Sequence, residues 1–592
     1  MGRDFLVLSV ICVSFLIVSV SLSKTESLTF DETFYLSCAL QTVHDRQLDP
    51  RLVDAGVAPV PWMITYLPPL WSSGGEDRPK AWQGEMNDPV WIRWPRFLNA
   101  AVFGIPLLCM CFFWLRRRCG SLAAFAGTAA LACSPLIVGH ASLATMDLGF
   151  TCLCLVSFLT IGWTLQRPNF KRIAVSAVVV ALCLSSKYSG IFLIPTMLIL
   201  LAIRGHGEPG FDKWKEWAHW RFVAAGSILW LSILLPAWWG FHTFATHGPL
   251  KQVPLAETPD ESPWVRVLGR NPIGNWIMDQ AHEHWHRPAP MTGVLFQMNH
   301  NQEGHPAFLL GQTSQHGWWY YFPCVFAFKS TPVELILSLV VVIGILLAMF
   351  RGSSGWSQSD PAIKAMLTGS LIFAILLLTS RINLGQRYLM PLYPLLVMVG
   401  VSVLCGLLSS QRQWLRFLLI LLVLGQMSSL AMAYPRVLGY FNFLCGGPAA
   451  GPRLLADSNL DWGQDLPALK QRLQQLQARR TLIGYFGTAL PAAYGIEGEL
   501  VQKRTRPIEE YDFFALSITA LRLSSETSGC FHRFNNLIPD GTAGSSFLIF
   551  RLDSPERRRL VEQAGACEKA RIEAHELKYG KPVRDPDSAP AD

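Results

Sequence analysis

Several side chains in this chain sit where an apolar setting makes them costly, which by default points to function. Asp31 and Glu32 lie together in LTFDETFYLS, just after an apolar run. Adjacent carboxylates there can serve as general base or metal ligands. The structural alternative is a helix N-cap by Asp31 before TFYLSCAL. Asp147 in GHASLATMDLGF follows His140 at the head of another apolar run and has the same two readings. Lys187 in SSKYSG separates two apolar runs. It either snorkels to an interface or neutralises an anionic headgroup. Arg381 and Arg387 in RINLGQRYLMPLYP, and Arg93 and Arg96 before a further run, form two pairs suited to bidentate phosphate binding. In AHEHWHRP, His282, Glu283, His284 and His286 would share a face if extended and could hold a metal, with His300 and His305 near; a solvated loop is the alternative.

The elements that must position these groups are membrane helices. The 592 residues are 51% hydrophobic and only 16% charged, which excludes disorder and argues against a purely soluble enzyme. The apolar residues gather in runs near 5–22, 97–115, 119–139, 145–164, 172–185, 187–203, 222–241, 333–350, 363–380, 388–408 and 414–432. Most are long enough to span a bilayer. The pair around Lys187 also fits one broken helix. The first run also fits a cleaved signal peptide, but Arg3 and Asp4 cancel and the apolar core is long. With the N-terminus inside, the short cytoplasmic loops hold Arg116 to Arg118, then Arg167, Lys171 and Arg172, then Arg204, Lys213 and Lys215, then Arg351 and Lys364, then Arg412 and Arg416. That succession obeys the positive-inside rule. It places loops 23–96 and 242–332, and everything after 432, on the exoplasmic side, the periplasm if the chain is bacterial. The candidate carboxylates and cations then share one membrane face. The net charge of +8 follows from this topology, and no nucleic-acid motif is present. No CxxC or zinc spacing occurs among the 14 cysteines; Cys530 and Cys567 can pair if their segment lies outside the cytosol.

The tail is a different polypeptide. Residues 464–479 read as an amphipathic helix; 481–487, 511–518 and 545–552 read as strands; 554–579 reads as a charged helix. The expected architecture is an α-helical multi-pass membrane protein of about eleven spans with a small C-terminal α/β exoplasmic domain. Its parts are a transmembrane catalytic domain at 1–435, an exoplasmic domain at 436–580 and a disordered tail at 581–592.

Taken in order, FDETFYL, GHASLATMDLGF, SSKYSGIFLIP, GHPAFLLGQTSQHGWWYYFPCVFAFKSTP, INLGQRYLMPLYP and LGYFNFLCGGPAAGPRLLADSNLDWGQDLPALK resemble the GT-C-fold glycosyltransferases that use polyprenyl-phosphate sugars. The similarity is to the superfamily of protein O-mannosyltransferases and lipid A aminoarabinose transferases. It implies that the acidic residue after the first span, here Asp31 with Glu32 beside it, is catalytic, with Asp147 as the second acid. It implies lipid-phosphate contacts at Arg93, Arg96, Lys187 and Arg387, to which Arg381 and Lys329 of FKSTP are added. A divalent metal is a candidate cofactor; His282, His284 and His286 are its candidate ligands. In DSNLDWGQD, Asp457, Asn459, Asp461, Trp462 and Gln464 either bind acceptor or sugar, or form a structural turn. The implied activity is inverting transfer of a sugar from the lipid carrier to an acceptor hydroxyl of a protein, lipid or glycan, with Asp31 as general base. A transporter or flippase of lipid-linked sugars, working without chemistry, is the rival, though mid-membrane charges and inverted repeats are lacking.

Overall fold

The computed structural model describes residues 2–72, 90–203, 213–247, 265, 268–283, 287–350, 360–527 and 529–579. All eleven apolar runs are helical over most of their length. Among the described residues, seven helices are long and apolar enough to cross a membrane; the pair Ser121–Ala132 and Pro135–Ala141, bent by 60°, is a broken span or a re-entrant loop. The remaining apolar helices are shorter. Phe170–Leu184 stops at Ser185, and after Lys187 the chain resumes as a 3-10 turn, Tyr188–Phe192, running into Leu193–Ile203. The run around Lys187 is therefore two short helices around an irregular joint, which puts the lysine at a helix end rather than against a helix wall.

Apolar side chains make up most of the bundle core, Leu107, Phe112, Phe158, Phe192 and Met398 among them. Helix Pro332–Phe350 does the opposite: Ile336, Leu339, Ile343 and Phe350 are exposed. An exposed aliphatic face of that length fits lipid, where hydrocarbon replaces protein packing at no hydrophobic cost.

Loop 23–96 is not irregular. It contains helix Phe30–Asp45, then Pro50–Asp54 and Val60–Ser72, buried through Leu36, Trp62 and Tyr66. These residues pack in one cluster with Leu466, Leu469, Ile483 and Phe547 of the tail, so the first loop and the tail share a core.

The tail folds as read, with two additional short strands. Its sheet runs Gly498–Leu500, Thr481–Gly484, Phe513–Ser517, Phe547–Arg551, Gly541–Ala543. The first two pairings among Gly498–Leu500, Thr481–Gly484 and Phe513–Ser517 are parallel, and the rest antiparallel. Helix Leu466–Gln475 covers one side through Leu466, Leu469 and Leu473. On the other, Val561 and Ala564 of helix Pro555–Tyr579 join Phe514 and Phe550. Two strands were missed because each is three residues long, too short to show alternation. Cys530 and Cys567 are joined in a disulfide that ties this last helix to the sheet layer. The expected disordered stretch 581–592 lies outside the described residues.

Candidate active site

Helix Phe30–Asp45 sets the first catalytic candidate. Its N-cap is Thr29, not Asp31: the Glu32 carboxylate reaches back to accept the Thr29 N–H at 2.9 Å and the Thr29 hydroxyl at 3.0 Å. This is the reciprocal capping arrangement, and it leaves the Asp31 side chain free for another partner. Arg387 supplies it, donating from Nη1 to Asp31 Oδ2 at 2.8 Å. Asp147, second residue of helix Met146–Gln166, accepts from Lys187 Nζ at 2.7 Å and lies 4.0 Å from the Arg387 guanidinium. It too is paired rather than capping. Four groups from four segments thus form one alternating cluster.

They line a cavity of about 460 Å³ together with Tyr388, Asp457, Trp462 and Phe486. The Lys187 ammonium sits 4.3 Å from the centre of the Tyr388 ring, and the Arg387 guanidinium 4.2 Å from that of Trp462. Phe30 and Phe486, from opposite ends of the chain, stack at 5.4 Å. Arg387 Nε is buried with no hydrogen-bond partner among the described residues. A guanidinium with an unfilled donor is ready for an anion. Burial raises the Asp31 carboxyl above the usual carboxylate range; Arg387 pulls the other way, while Asp147 and Asp457 add to the rise.

The loop bearing Arg387 is held by the tail. Asn459 Oδ1 accepts the Gln386 N–H at 3.0 Å, and Asn459 Nδ2 donates to the Tyr321 hydroxyl at 3.0 Å. Gly385, at φ +132°, lies so close that a Cβ would stand 2.9 Å from Asn459 Oδ1 and from Ser458 Oγ. No other residue type fits there without displacing the loop. Lys329 is buried and donates to the carbonyls of Leu438 and Asn459, with its ammonium 4.6 Å from the Phe441 ring centre. It clamps the tail string from below and does not line the cavity.

Other expected site residues fall elsewhere. Glu32 and Arg96 bind each other, at 2.9 and 2.7 Å, in full burial. Arg96 also donates to the carbonyls of Ser23, Glu26 and Ser27, and Glu32 accepts the Ala144 N–H. Their hydrogen-bonding capacity is spent on joining the first loop to the bundle, away from the cavity. Breaking a buried ion pair strands a charge and costs about 3–5 kcal/mol. Glu32→Gln and Arg96→Gln are each expected to lower the unfolding temperature in detergent strongly, and the double substitution to cost less than the two losses added together. Arg93 is exposed at the head of its helix. Arg381 is exposed and donates to the Gln302 carbonyl at 3.2 Å. Asp461 accepts from the Thr519 and Gly463 N–H groups, and Gln464 binds Leu460 and Trp462 main chain. Thus Asn459, Asp461 and Gln464 are structural in their contacts, whereas Trp462 faces the cavity.

His284 and His286 lie outside the described residues, as does the side chain of His282. Among the described residues no group of three or more metal-ligating side chains converges. His300 and His305 do line the cavity, with ring centres 5.7 Å apart. Tyr388 was missed as a site residue, whereas Asp457 of the tail string lines the cavity. Tyr388 reads as a span-head aromatic.

The helical bundle and the paired charges in its cavity are what the resemblance to GT-C-type membrane glycosyltransferases leads one to expect. Residues 92–239 match the family model described as dolichyl-phosphate-mannose-protein mannosyltransferase. That stretch contains Asp147 and Lys187. No curated protein sequence matches the chain. Among solved structures, ArnT from Cupriavidus metallidurans bound to undecaprenyl phosphate is similar at 13% identity and TM-score 0.42, over 93% of this chain and 98% of that one. The archaeal oligosaccharyltransferase AglB from Archaeoglobus fulgidus, in complex with an inhibitory peptide and a dolichol-phosphate, is similar at 11% identity and TM-score 0.43, over 94% and 77%. Both likenesses are loose, and the family match carries more weight.

Proposed function

We propose that this chain transfers a sugar from a polyprenyl-phosphate carrier to an acceptor hydroxyl at the exoplasmic face, with inversion. The observation that carries this is the paired cluster in the cavity, Asp31 with Arg387 and Asp147 with Lys187. A lipid phosphate entering the cavity competes with Asp31 for the Arg387 guanidinium, whose Nε has no hydrogen-bond partner among the described residues. Asp31 then loses its counter-ion and faces the acceptor. The acceptor oxygen bonds to the anomeric carbon as its proton passes to Asp31. The bond from that carbon to the phosphate oxygen breaks, and its electron pair leaves with the phosphate. The phosphodiester becomes a monoester with one more negative charge. Arg387 and Lys187 therefore bind the leaving group more tightly as the reaction proceeds, which is the condition for lowering the barrier. No covalent sugar–enzyme intermediate is needed. Asp147 orients Lys187.

The proposed topology keeps the N-terminus in the cytoplasm and the 436–580 domain outside, in the plasma (inner) membrane. The Cys530–Cys567 disulfide supports an oxidising location for that domain.

The test is to incubate the detergent-purified protein with a total lipid extract. Mass spectrometry should show a polyprenyl-phosphate sugar consumed and polyprenyl phosphate formed; no consumption with any acceptor class added would remove the reading. The mechanism also sets the pH profile. Asp31 must be ionised to act, so rate is present above its pKa and lost as pH falls through it. Because burial raises that pKa, the acid limb is expected above the usual Asp value of about 4. An initial-rate profile showing no acid limb would exclude Asp31 as base.

A further inference from the structure

We propose that Asp457 reads the glycosyl group of the donor, its carboxylate accepting hydrogen bonds from hydroxyl or amino groups on the sugar ring. This deepens the donor reading above and rests on it.

The first observation is backbone strain. Asp457 lies at φ +58°, in the left-handed region. Such a conformation in a non-glycine residue persists only where the surroundings impose it, and it concentrates at ligand sites. Here the surroundings are explicit. The Asp457 N–H donates to Thr519 Oγ1 at 3.0 Å, and its carbonyl accepts from Leu460 N–H at 2.8 Å and Asp461 N–H at 2.9 Å. Asp457 Oδ1 accepts the Ser458 N–H. Among the described residues the other carboxylate oxygen has no hydrogen-bond partner, and the residue lines the cavity.

The second observation is charge. Three carboxylates, Asp31, Asp147 and Asp457, face two permanent cations, Lys187 and Arg387, in that cavity. The first two acids are each ion-paired at hydrogen-bond distance, and Asp457 is not. A site for an anionic lipid phosphate gains nothing from a surplus carboxylate, which repels the phosphate. Its presence is explained by a ligand part rich in proton donors, and a sugar ring is that part. Hydrogen bonds to a charged acceptor are the stronger kind.

The third observation is the contrast within DSNLDWGQD, residues 457–465. Asn459, Asp461 and Gln464 have their side chains committed to the protein's own main chain or to Tyr321. Only Asp457 and Trp462 of that string reach the cavity. The string builds a rigid turn, and the turn presents these two.

The experiment uses the full chain in detergent, as wild type, Asp457→Asn and Asp457→Gly. Asparagine tolerates the left-handed region and keeps an acceptor for Ser458; glycine favours the region and removes the side chain. Consumption of the sugar-bearing lipid is followed by mass spectrometry, and sugar-free undecaprenyl phosphate is titrated as inhibitor. The expected result is a KM for sugar-bearing lipid raised about tenfold or more in both variants. The inhibition constant of undecaprenyl phosphate should stay within about twofold, because Asp457 touches only the sugar. Equal weakening toward both lipids would make Asp457 a support for Arg387 and overturn the assignment, as would unchanged kinetics. Wild-type turnover lost to a chelator and restored by a divalent cation only with Asp457 intact would make it a cation ligand instead. Absence of turnover in the wild type would remove the donor reading itself, a result distinct from all of these.

Discussion

Asp31→Asn is expected to lower sugar transfer by about 10²- to 10⁴-fold, the range of a lost general base. Asparagine keeps the shape and still accepts a hydrogen bond from Arg387, so the cavity should persist. It cannot take the acceptor proton. The loss should appear in kcat, with little change in the binding of sugar-free undecaprenyl phosphate. The helix should form normally, because Thr29 and Glu32 cap it and Asp31 does not. Unfolding temperature in detergent is therefore expected to match wild type. Retained transfer in a folded Asp31→Asn protein would assign the base elsewhere, with Asp147 next by position.

Arg387→Gln is expected to cost a similar amount for a different reason. It removes the cation against which phosphate charge develops, an effect worth about 10²- to 10³-fold in comparable transition-state contacts. It also removes the counter-ion of Asp31 and weakens the field at Asp147. Both kcat and affinity for undecaprenyl phosphate should fall, unlike for Asp31→Asn. The acid limb of the pH profile should move upward, since the guanidinium is what opposes the rise caused by burial. Arg387→Lys should recover part of the binding but not the fork geometry. An Arg387→Gln protein with wild-type affinity for undecaprenyl phosphate would exclude this residue from the phosphate site.

The helical bundle was legible because the bilayer imposes a simple rule. A span must be long, apolar and helical, so its composition announces it. The tail's main strands were legible for a related reason, as short apolar runs between turn signals. The candidate charges were also visible, since ionisable residues beside apolar runs need an explanation. By itself the sequence determined that membrane bundle, the C-terminal α/β layer and a short roster of acids and cations.

Sorting that roster was the work of the tertiary structure. Asp31 and Glu32 are neighbours, yet consecutive helical residues point about 100° apart. One turns into the cavity toward Arg387, the other into the protein toward Arg96. Arg381 and Arg387 are separated by one short turn, and only Arg387 is drawn in, because Asn459 from the tail holds the neighbouring Gln386. Lys329, expected at the phosphate, is instead consumed by main-chain carbonyls of the tail. Each of these outcomes depends on a partner at least sixty positions away in the chain. Spacing along a sequence reports which face of one element a residue occupies; which group meets it there is decided only when distant elements pack.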